Sequence, residues 1–235
     1  MSDSQEKVNI TIDGVAVAAD PGFTVIQAAD KAGIYIPRLC DHPDLPPSGH
    51  CRVCTVKMNG KNAAACTKPV QEGMVVENDT EELNAIRKDL VEMTFVEGNH
   101  FCPSCEVSGD CELQAVAYRL GMTAPHYPYL NIPRATDGSH PDVFIDRNRC
   151  ILCGRCVRAS AVLDGKSIFG YRNRGIHKEV IVAVSDRLGD TDIEATDKAV
   201  AYCPTQCLRV KRKGFSKPVG MRKYDHTPID VPGRE

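Results

Sequence analysis

The sequence has no tryptophan, only 6% aromatic residues and no long apolar run. A transmembrane helix needs about 18 or more consecutive apolar residues, so the sequence predicts no membrane association. The first residues are polar and lack the apolar core of a secretory signal, which predicts a cytoplasmic protein. Small domains with so few aromatic residues need additional cross-links to hold their cores together.

Motifs for nucleotide binding and for nucleophilic catalysis are also missing. No G-x-G-x-x-G follows a predicted strand, there is no P-loop, and no nucleophile and base form a convincing pair. The sequence therefore predicts no catalytic residues, and neither NAD nor flavin bound by this chain. It also lacks the two C-x2-C pairs, one near each end of a chain, that would suggest a nickel–iron site.

Cysteine, by contrast, is abundant, with 12 among 235 residues. Several follow the spacing C-x2-C, which indicates metal binding in a cytosolic protein and would indicate disulfides in a secreted one. The formal net charge is −2, and cysteines that bind metal as thiolates would make the loaded protein more negative. That charge argues against a nucleic-acid partner.

The densest group of cysteines is the run Cys150-Ile151-Leu152-Cys153-Gly154-Arg155-Cys156, which is followed much later by Cys203-Pro204. Three thiols at this spacing and a cysteine before proline are the bacterial ferredoxin pattern for a [4Fe–4S] cluster. Ser160 stands where two-cluster ferredoxins have a further cysteine, so the segment predicts one cluster. Cys207 is an alternative fourth ligand, and we favour Cys203 because proline follows it.

The N-terminal residues 1–78 predict a β-grasp domain. Alternating residues 8–17 predict one hairpin, residues 24–33 a helix capped by Thr24, and residues 52–65 a second hairpin. Each hairpin has a turn signal, Asp-Gly in the first and Asn-Gly in the second. The order of strands and helix is that of a [2Fe–2S] ferredoxin-like domain.

Four cysteines accompany this domain with the spacing C-x10-C-x2-C-x11-C. They are Cys40, Cys51, Cys54 and Cys66. Four thiolates with a close central pair suit a [2Fe–2S] cluster, although plant ferredoxins have a much shorter first gap. The alternatives are a structural zinc site with four cysteine ligands, or buried free cysteines. His42 and His50 flank the ligands, and we interpret both as surface or supporting groups.

Residues 79–120 predict two helices with a second ligand set between them. Asp79 is the expected N-cap of the first helix, with Glu82 reaching back to it. The core-facing stripe of the first helix is predicted to contain Leu83, Ile86, Leu90 and Met93, and that of the second Leu113, Val116, Ala117 and Leu120. The second helix is expected to end at Gly121.

The ligand set between these helices is predicted to be His100, Cys102, Cys105 and Cys111. The three cysteines have no further thiol nearby, which is why we interpret His100 as the fourth ligand of a [4Fe–4S] cluster. The alternative is a histidine in a solvated loop. A neutral imidazole in place of a thiolate makes the site less negative, which should raise the reduction potential.

The remaining chain is divided into a proline-punctuated linker at 121–141, a ferredoxin-like [4Fe–4S] segment at 142–213 and a basic tail at 214–235. The ferredoxin-like segment predicts a strand at 143–145, a strand at 180–184 and a helix over 192–201 that leads to Cys203. We interpret the tail as solvated. The alternative is that it docks on an acidic surface of a partner.

The order of the three sites and the run from Glu97 to Cys105 resemble a known family. The same order is found in the N-terminal part of the large iron–sulfur subunit of complex I and in the electron-entry region of [FeFe] hydrogenases. The chain most resembles the small iron–sulfur subunit of the diaphorase module of soluble NAD-reducing [NiFe] hydrogenases, over nearly its whole length. One departure concerns His100: complex I-type proteins place three residues between the ligand histidine and the first cysteine, and here only Phe101 intervenes.

The resemblance implies an α+β electron-relay subunit with one [2Fe–2S] and two [4Fe–4S] clusters. Its expected partners are a flavin- and NAD-binding diaphorase large subunit and the small and large subunits of a [NiFe] hydrogenase. The alternative destination is an NAD-dependent formate dehydrogenase or a complex I-like enzyme, since the difference lies in the partner. A zinc-stabilised interaction module without a redox role is the alternative of another class.

Overall fold

The computed structural model describes residues 6–230. The strands are β1 (Val8–Ile12), β2 (Val15–Ala19), β3 (Thr55–Met58), β4 (Lys61–Ala64), β5 (Val75–Glu77), β6 (Thr136–Asp137), β7 (Val143–Asp146), β8 (Phe169–Arg172), β9 (Glu179–Val182) and β10 (Leu208–Val210). The α-helices are α1 (Val25–Lys31), α2 (Glu81–Glu97), α3 (Glu112–Arg119), α4 (Arg155–Val162) and α5 (Lys198–Ala201). Single 3-10 turns lie at Cys102–Ser104, Arg147–Arg149, Gly175–His177 and Leu188–Asp190.

The N-terminal sheet has the strand order β2-β1-β5-β3-β4. Two antiparallel hairpins flank β5, which pairs parallel with β1 and antiparallel with β3. Asp13 and Asn59 adopt positive φ angles of 49° and 46°, as the first residue of a two-residue hairpin turn of this type requires. The layout confirms the predicted α+β fold class with its ferredoxin-like N-terminal domain. The short strand β5 was not predicted.

Helix α1 covers this sheet and starts where predicted. The Thr24 hydroxyl accepts from the Gln27 amide, and the Gln27 side chain accepts from the Thr24 amide, so the two residues form a capping box. Val25, Ile26, Ala28 and Ala29 are buried against the sheet. The N-terminal apolar core therefore forms between one face of the sheet and α1.

Helix α2 is capped by Thr80, so the prediction of Asp79 as the cap was wrong. The Thr80 hydroxyl accepts from the Leu83 amide at 3.2 Å. The Asp79 carboxylate instead accepts from the Asn84 side chain, and Glu82 pairs with Lys57 on β3 rather than reaching back. Asp79 also pairs with Arg119 on α3 at 3.1 Å, so both acidic side chains connect the start of α2 to other parts of the chain.

The buried face of α2 also differs from the predicted stripe. Its buried residues are Leu83, Arg87, Val91, Glu92 and Val96. Met93 is 42% exposed, and Ile86 and Leu90 are only half-buried. Leu83 is buried as predicted and Leu90 packs against the core; the rest of the stripe was wrong because two charged residues occupy core positions, where an apolar pattern cannot reveal them. Helix α3 buries Leu113, Val116 and Ala117 as predicted and is followed by Gly121 at a φ of 65°.

The C-terminal part contains the antiparallel sheet β10-β7-β6 and the hairpin β8–β9. Strands β7 and β9 lie in the predicted regions, whereas α4, β8 and β10 were not predicted. The predicted helix over 192–201 is reduced to the single turn α5. Asp164 explains where α5 begins, because its carboxylate accepts from the amides of Lys198 and Ala199 at 2.8 and 3.0 Å. Residues 192–197 have no regular structure apart from a turn at 195–196.

A further apolar core joins the N-terminal domain, the helical segment and the C-terminal part of the chain. It combines Leu39 and Val53 from the loops of the N-terminal domain with Val91 and Leu113 from the helical segment, and Ile151 packs against it. Most of the cysteines predicted as ligands lie in this core or in the apolar cores of the N-terminal and C-terminal parts, or pack against them. Within residues 6–230, none of the helices is long and apolar enough to span a membrane.

Candidate metal centres

The first site brings together the four cysteines of the N-terminal domain. Cys40, Cys54 and Cys66 are buried and Cys51 is half-buried. The Cys40 thiol lies within hydrogen-bonding distance of Cys51 and Cys66, and the Cys54 thiol lies within hydrogen-bonding distance of Cys66. Hydrogen bonds from Cys51 and Cys66 lower the pKa of Cys40, whereas the hydrogen bond to Cys40 raises the pKa of Cys66. The arrangement can present four sulfurs to one bound group.

The backbone of the first site turns sharply between Cys51 and Cys54. Arg52 has a φ of 59°, and its carbonyl accepts from the Thr55 amide at 3.0 Å and from the Thr55 hydroxyl at 2.6 Å. The same device recurs at the ferredoxin-type run, where Leu152 and Gly154 have φ angles of 53° and 70°. A left-handed residue thus lies inside each C-x2-C unit of the first and third sites, whereas Cys102–Ser104 of the second site form a 3-10 turn.

A buried cation lies beside the first site. Arg87 is 1% exposed and donates to the carbonyls of Thr55 and Asn78 and to the side-chain oxygens of Asn78 and Asn84, at 2.8 to 3.0 Å. All four acceptors are neutral, and Arg87 forms no ion pair with a carboxylate within the described residues. Burial lowers the pKa of Arg87 to about 10, so that it stays charged at neutral pH. Such a cation favours negative charge at neighbouring Cys54.

The second site is a cavity in the helical segment. The predicted ligands His100, Cys102, Cys105 and Cys111 all line it. The Nε2 atom of His100 is buried and has no hydrogen-bond partner within residues 6–230. Burial lowers the pKa of His100 to about 4, so the ring is neutral at pH 7. A neutral imidazole with an unpaired nitrogen and three thiols is a donor set that fits an iron–sulfur cluster.

Gly98 makes room for this histidine, and sequence reasoning missed it. A Cβ atom at Gly98 would lie 2.6 Å from His100 Nε2 and 3.0 Å from the Asn148 carbonyl oxygen. Asn99 then donates to that same carbonyl at 2.7 Å. The chain before His100 is therefore held against the ferredoxin-like segment at a distance that only glycine allows.

The C-terminal tail covers the loop between Cys105 and Cys111. Arg222 donates to the Ser108 carbonyl at 3.0 Å, and the Tyr224 amide donates to the Gly109 carbonyl at 2.9 Å. The Asp110 carboxylate accepts from the Lys223 amide at 2.8 Å and pairs with Lys217. The tail is thus attached to its own chain, which differs from the solvated tail that we predicted.

The third site is a cavity that is lined by five cysteines. They are Cys150, Cys153, Cys156, Cys203 and Cys207. Two of the sulfurs accept backbone hydrogen bonds at 3.4 Å, Cys150 from the Leu152 amide and Cys203 from the Leu208 amide. Amide donors of this kind stabilise negatively charged ligand sulfurs. The cavity therefore contains one sulfur more than a [4Fe–4S] cluster needs.

The second and third cavities share a wall at Thr205. This residue lines both cavities, is 2% exposed and donates its hydroxyl to the Arg149 carbonyl at 2.9 Å. Arg149 in turn lines the second cavity and pairs with Glu106 at 2.8 Å. Sequence reasoning did not identify Thr205, because its role depends on contacts between distant segments.

The third site also contacts the loops of the first. Arg158 on α4 donates to the Cys40 carbonyl, and His50 packs against Gly154, where an added Cβ would lie 3.5 Å from its Nδ1 atom. The His42 ring stacks on Tyr202 with a centroid separation of 3.7 Å. Both flanking histidines therefore connect the first site to the third.

The donor sets suit bound groups larger than one ion. Among residues 6–230, no three or more His, Cys, Asp or Glu side chains form a group that could hold a single metal ion. At the second and third sites the sulfurs instead line one shared cavity each. An iron–sulfur cluster, which is held by Cys thiolates around its periphery, fits such an arrangement.

Three family models match the chain in the order of the three sites. A 2Fe-2S iron-sulfur cluster binding domain matches residues 5–81, and the iron-sulfur binding region of NADH-ubiquinone oxidoreductase G matches residues 87–126. A 4Fe-4S single cluster domain matches residues 143–210. Each matched region contains one of the ligand sets described above.

Curated relatives extend the likeness to the whole chain. The gamma subunit of the NAD-reducing hydrogenase HoxS of Cupriavidus necator is 42% identical over 219 residues, which are 93% of each chain. The 78 kDa subunit of mitochondrial NADH-ubiquinone oxidoreductase from Candida albicans is 33% identical over 96% of this chain, which spans 31% of that relative. The alpha subunit of the NADPH-Fe(3+) oxidoreductase of Geobacter sulfurreducens is 34% identical over 92% of this chain and 25% of its own length.

A solved structure also matches. A chain in the crystal structure of NAD+-reducing [NiFe]-hydrogenase in the H2-reduced state superposes with a TM-score of 0.93 at 47% identity. The match covers 96% of this chain and 97% of that one. Fold and length therefore agree with one chain of that structure, whereas this chain spans only about a third or less of the length of the longer relatives.

Proposed function

Because this chain belongs to the family of iron–sulfur electron-transfer subunits that includes the HoxS gamma subunit of NAD-reducing hydrogenase, we propose that it connects NAD chemistry to hydrogen chemistry through three iron–sulfur sites. The relay subunit itself is predicted to have no catalytic residues. It would work in the cytoplasm, where reducing conditions keep the cysteines free of disulfides. All of the cysteines are free thiols in the structure.

The proposed ligand sets follow the three groups of donors. A [2Fe–2S] cluster would be held by Cys40, Cys51, Cys54 and Cys66, one [4Fe–4S] cluster by His100, Cys102, Cys105 and Cys111, and another by Cys150, Cys153, Cys156 and Cys203. Such clusters, when bound, supply one-electron carriers whose potentials depend on ligands, hydrogen bonds and burial. The grouping of the donors supports these assignments, because the second and third ligand sets each line one cavity.

The observation that carries the proposal is the contact of the third site with both others. Thr205 separates its cavity from the second by one side chain, and Arg158 ties α4 to the Cys40 carbonyl of the first. Five of the proposed cysteine ligands are buried, and the amides of Leu152 and Leu208 donate to ligand sulfurs of the third site. These groups can set the reduction potential of each site.

The proposed partners are a flavin- and NAD-binding diaphorase large subunit and the small and large subunits of a [NiFe] hydrogenase. The relative that matches this chain in length is named as a subunit of an NAD-reducing hydrogenase, which favours hydrogenase over formate dehydrogenase as the other end of the relay. The longer relatives are named as oxidoreductases of NADH or NADPH, which supports a pyridine nucleotide at one end.

The test is purification of the native complex through an affinity tag on this chain. We expect nickel and flavin to co-purify, NAD+ to be reduced under H2, and the isolated chain to reduce no dye with NADH. Molybdenum in place of nickel would move the relay to a formate dehydrogenase. NADH-dependent dye reduction by the isolated chain would contradict a pure relay.

A further inference from the structure

Arg155, inside the ferredoxin-type cysteine run, is one of the most deeply buried side chains of the molecule. It is 2% exposed, and its guanidinium forms a bidentate pair with Glu112 at 2.9 and 2.8 Å. It also donates to the Asp41 carbonyl at 2.8 Å and to the Tyr202 carbonyl at 3.4 Å. Side chains this polar are rarely buried unless all their partners are fixed.

Each partner of Arg155 is the direct neighbour of a candidate ligand. Asp41 follows Cys40 of the first site, Glu112 follows Cys111 of the second, and Tyr202 precedes Cys203 of the third. Arg155 itself precedes Cys156. One guanidinium therefore bonds to segments that carry ligands of all three sites, although those segments are far apart in sequence.

We propose that Arg155 is a positioning residue that fixes the three iron–sulfur sites relative to one another. The inference rests on the proposed function, because it concerns the spacing of groups between which electrons would move. Arginine suits this role through its planar fork of five donors, which can hold a carboxylate with two bonds and still reach carbonyls on other segments. Lysine carries the same charge without that fork.

The environment of Arg155 reinforces this junction. The Glu112 amide donates to the Pro204 carbonyl at 2.9 Å, which adds a second link between the second and third sites. Arg158, one turn further along α4, donates to the carbonyls of Cys40 and Pro46. The first turn of α4 thus presents two arginines to the loop of the first site. Because Glu112 neutralises the charge of Arg155, the pair acts mainly through geometry.

The role can be distinguished from that of an ordinary buried ion pair. A pair that stabilised only its own surroundings would, when broken, disturb the third site, whose ligands Cys153 and Cys156 flank Arg155. A junction would also disturb the first and second sites, although their own ligands are untouched. The readout must therefore report each site separately.

The experiment compares R155M, R155K and E112Q with the wild-type full-length chain, purified without oxygen. The matched control is R172M, which removes an exposed arginine that pairs with Glu179 at 2.9 Å. Redox titration followed by EPR gives the midpoint potential and the magnetic interaction of each site, and iron analysis gives the occupancy. Iron release to a chelator measures how firmly each site is held.

We expect R155M to shift the potentials or weaken the magnetic interactions of the first and second sites as well as the third, and to speed iron release from all three severalfold. R155K should retain more iron than R155M but show the same altered interactions, and E112Q should affect the second and third sites most. R172M should match the wild type.

The proposal is overturned if the substitutions at Arg155 change the third site alone, or change nothing relative to R172M. If the R155M protein does not accumulate in the cell, the same measurements on R155K test the proposal. A wild-type chain without iron would refute the proposed function, whereas an iron-loaded wild type with unaffected variants would refute only the junction.

Discussion

The sulfurs of Cys203 and Cys207 both line the third cavity, and a [4Fe–4S] cluster needs only one of them as its fourth ligand. Cys203 precedes proline, as the ferredoxin pattern demands, and its sulfur accepts from the Leu208 amide at 3.4 Å. Cys207 is buried within hydrogen-bonding distance of Cys150 and Cys203. These observations favour Cys203 as the ligand and Cys207 as a neighbouring thiol.

Substitution of each cysteine tests this assignment. Cys203→Ser should cost about four irons per chain and the corresponding EPR signal, because the third cluster loses a thiolate. Cys207→Ser should keep all the iron and shift only the potential of that signal. The reverse pattern would make Cys207 the ligand. Equal losses in both variants would mean that the third site depends on both sulfurs.

Arg87 is the residue whose removal should destabilise the N-terminal half most. R87M leaves several buried oxygen acceptors without a donor, and each such group costs about 1–3 kcal/mol. We expect a loss of stability of roughly 3 kcal/mol, seen as a lower midpoint of anaerobic thermal unfolding, and faster loss of iron from the first site. The control is K68M, which removes an exposed cation. Equal midpoints for the two variants would contradict the structural role of Arg87.

Helix α2 and the linker that follows α3 are joined by one carboxylate. Glu92 is buried and accepts from the Tyr127 amide at 2.9 Å, from the His126 amide and from the His126 ring at 2.8 Å. The Leu130 amide also donates to the Val96 carbonyl on α2. The linker is thus attached along the outside of α2, although its proline content predicted only an extended chain.

The attachment should depend on pH through Glu92. Burial acts to raise the pKa of Glu92, but the hydrogen bonds from His126 and Tyr127 outweigh it and leave the pKa below its usual range. A group with a lowered folded pKa stabilises the structure above its unfolded pKa, about 4.3, and loses that contribution as pH falls through the folded value. Hydrogen exchange of the peptide 124–130, corrected for intrinsic rates, should show constant protection from pH 7 to about 5 and loss below about 4.

Glu92→Gln provides the control for this pH dependence. The amide can still accept but carries no charge, so protection of the same peptide should be weaker at pH 7 and should not change with pH in that range. Identical profiles for the variant and the wild type would show that Glu92 does not hold the linker.

At the level of helices and strands, the sequence predicts an element correctly where residues within a few positions determine its structure. The turn at Asn59-Gly60, the capping box at Thr24 and the run from Cys150 to Cys156 each encode their structure within a few residues. Charged core residues such as Arg87 could not be predicted, because their burial depends on acceptors from other segments. The shortened α5 could not be predicted either, since Asp164 on a distant segment fixes its start.

At the level of the whole molecule, the C-terminal tail encloses the second site. Its contacts with residues 106–110 come from backbone amides and from the side chains of Arg222 and Lys217. Gly109 matters here, because an added Cβ would lie 2.4 Å from Arg222 Nε. The contacts between the tail and this loop could not be predicted from sequence, because the basic residues of the tail are equally consistent with a solvated segment.

Deletion of residues 214–235 should therefore expose the second site. We expect the truncated chain to bind the same iron when fresh and to lose iron from the second site severalfold faster under air, while the other two EPR signals persist. If the tail served only to dock on an acidic partner, as the alternative predicts, truncation would weaken assembly of the complex and leave iron loss unchanged. Measuring both properties on one preparation separates the two roles.

The relative placement of the three sites is a further property of the whole molecule that sequence spacing did not predict. The order of the cysteines identifies three ligand sets, but not that the third set in sequence contacts both of the others. Thr205 and Arg155 establish those contacts through segments that are distant along the chain. The sequence alone contains no local signal for either residue.

The most direct test of the account is the iron and zinc content of the full chain purified without oxygen, together with the EPR spectrum after reduction by dithionite. The account predicts about ten irons per chain, no stoichiometric zinc, and signals of both [2Fe–2S] and [4Fe–4S] type. About six irons would remove one of the two [4Fe–4S] clusters, and the remaining signals would show which. Zinc without iron would contradict the electron-transfer function altogether.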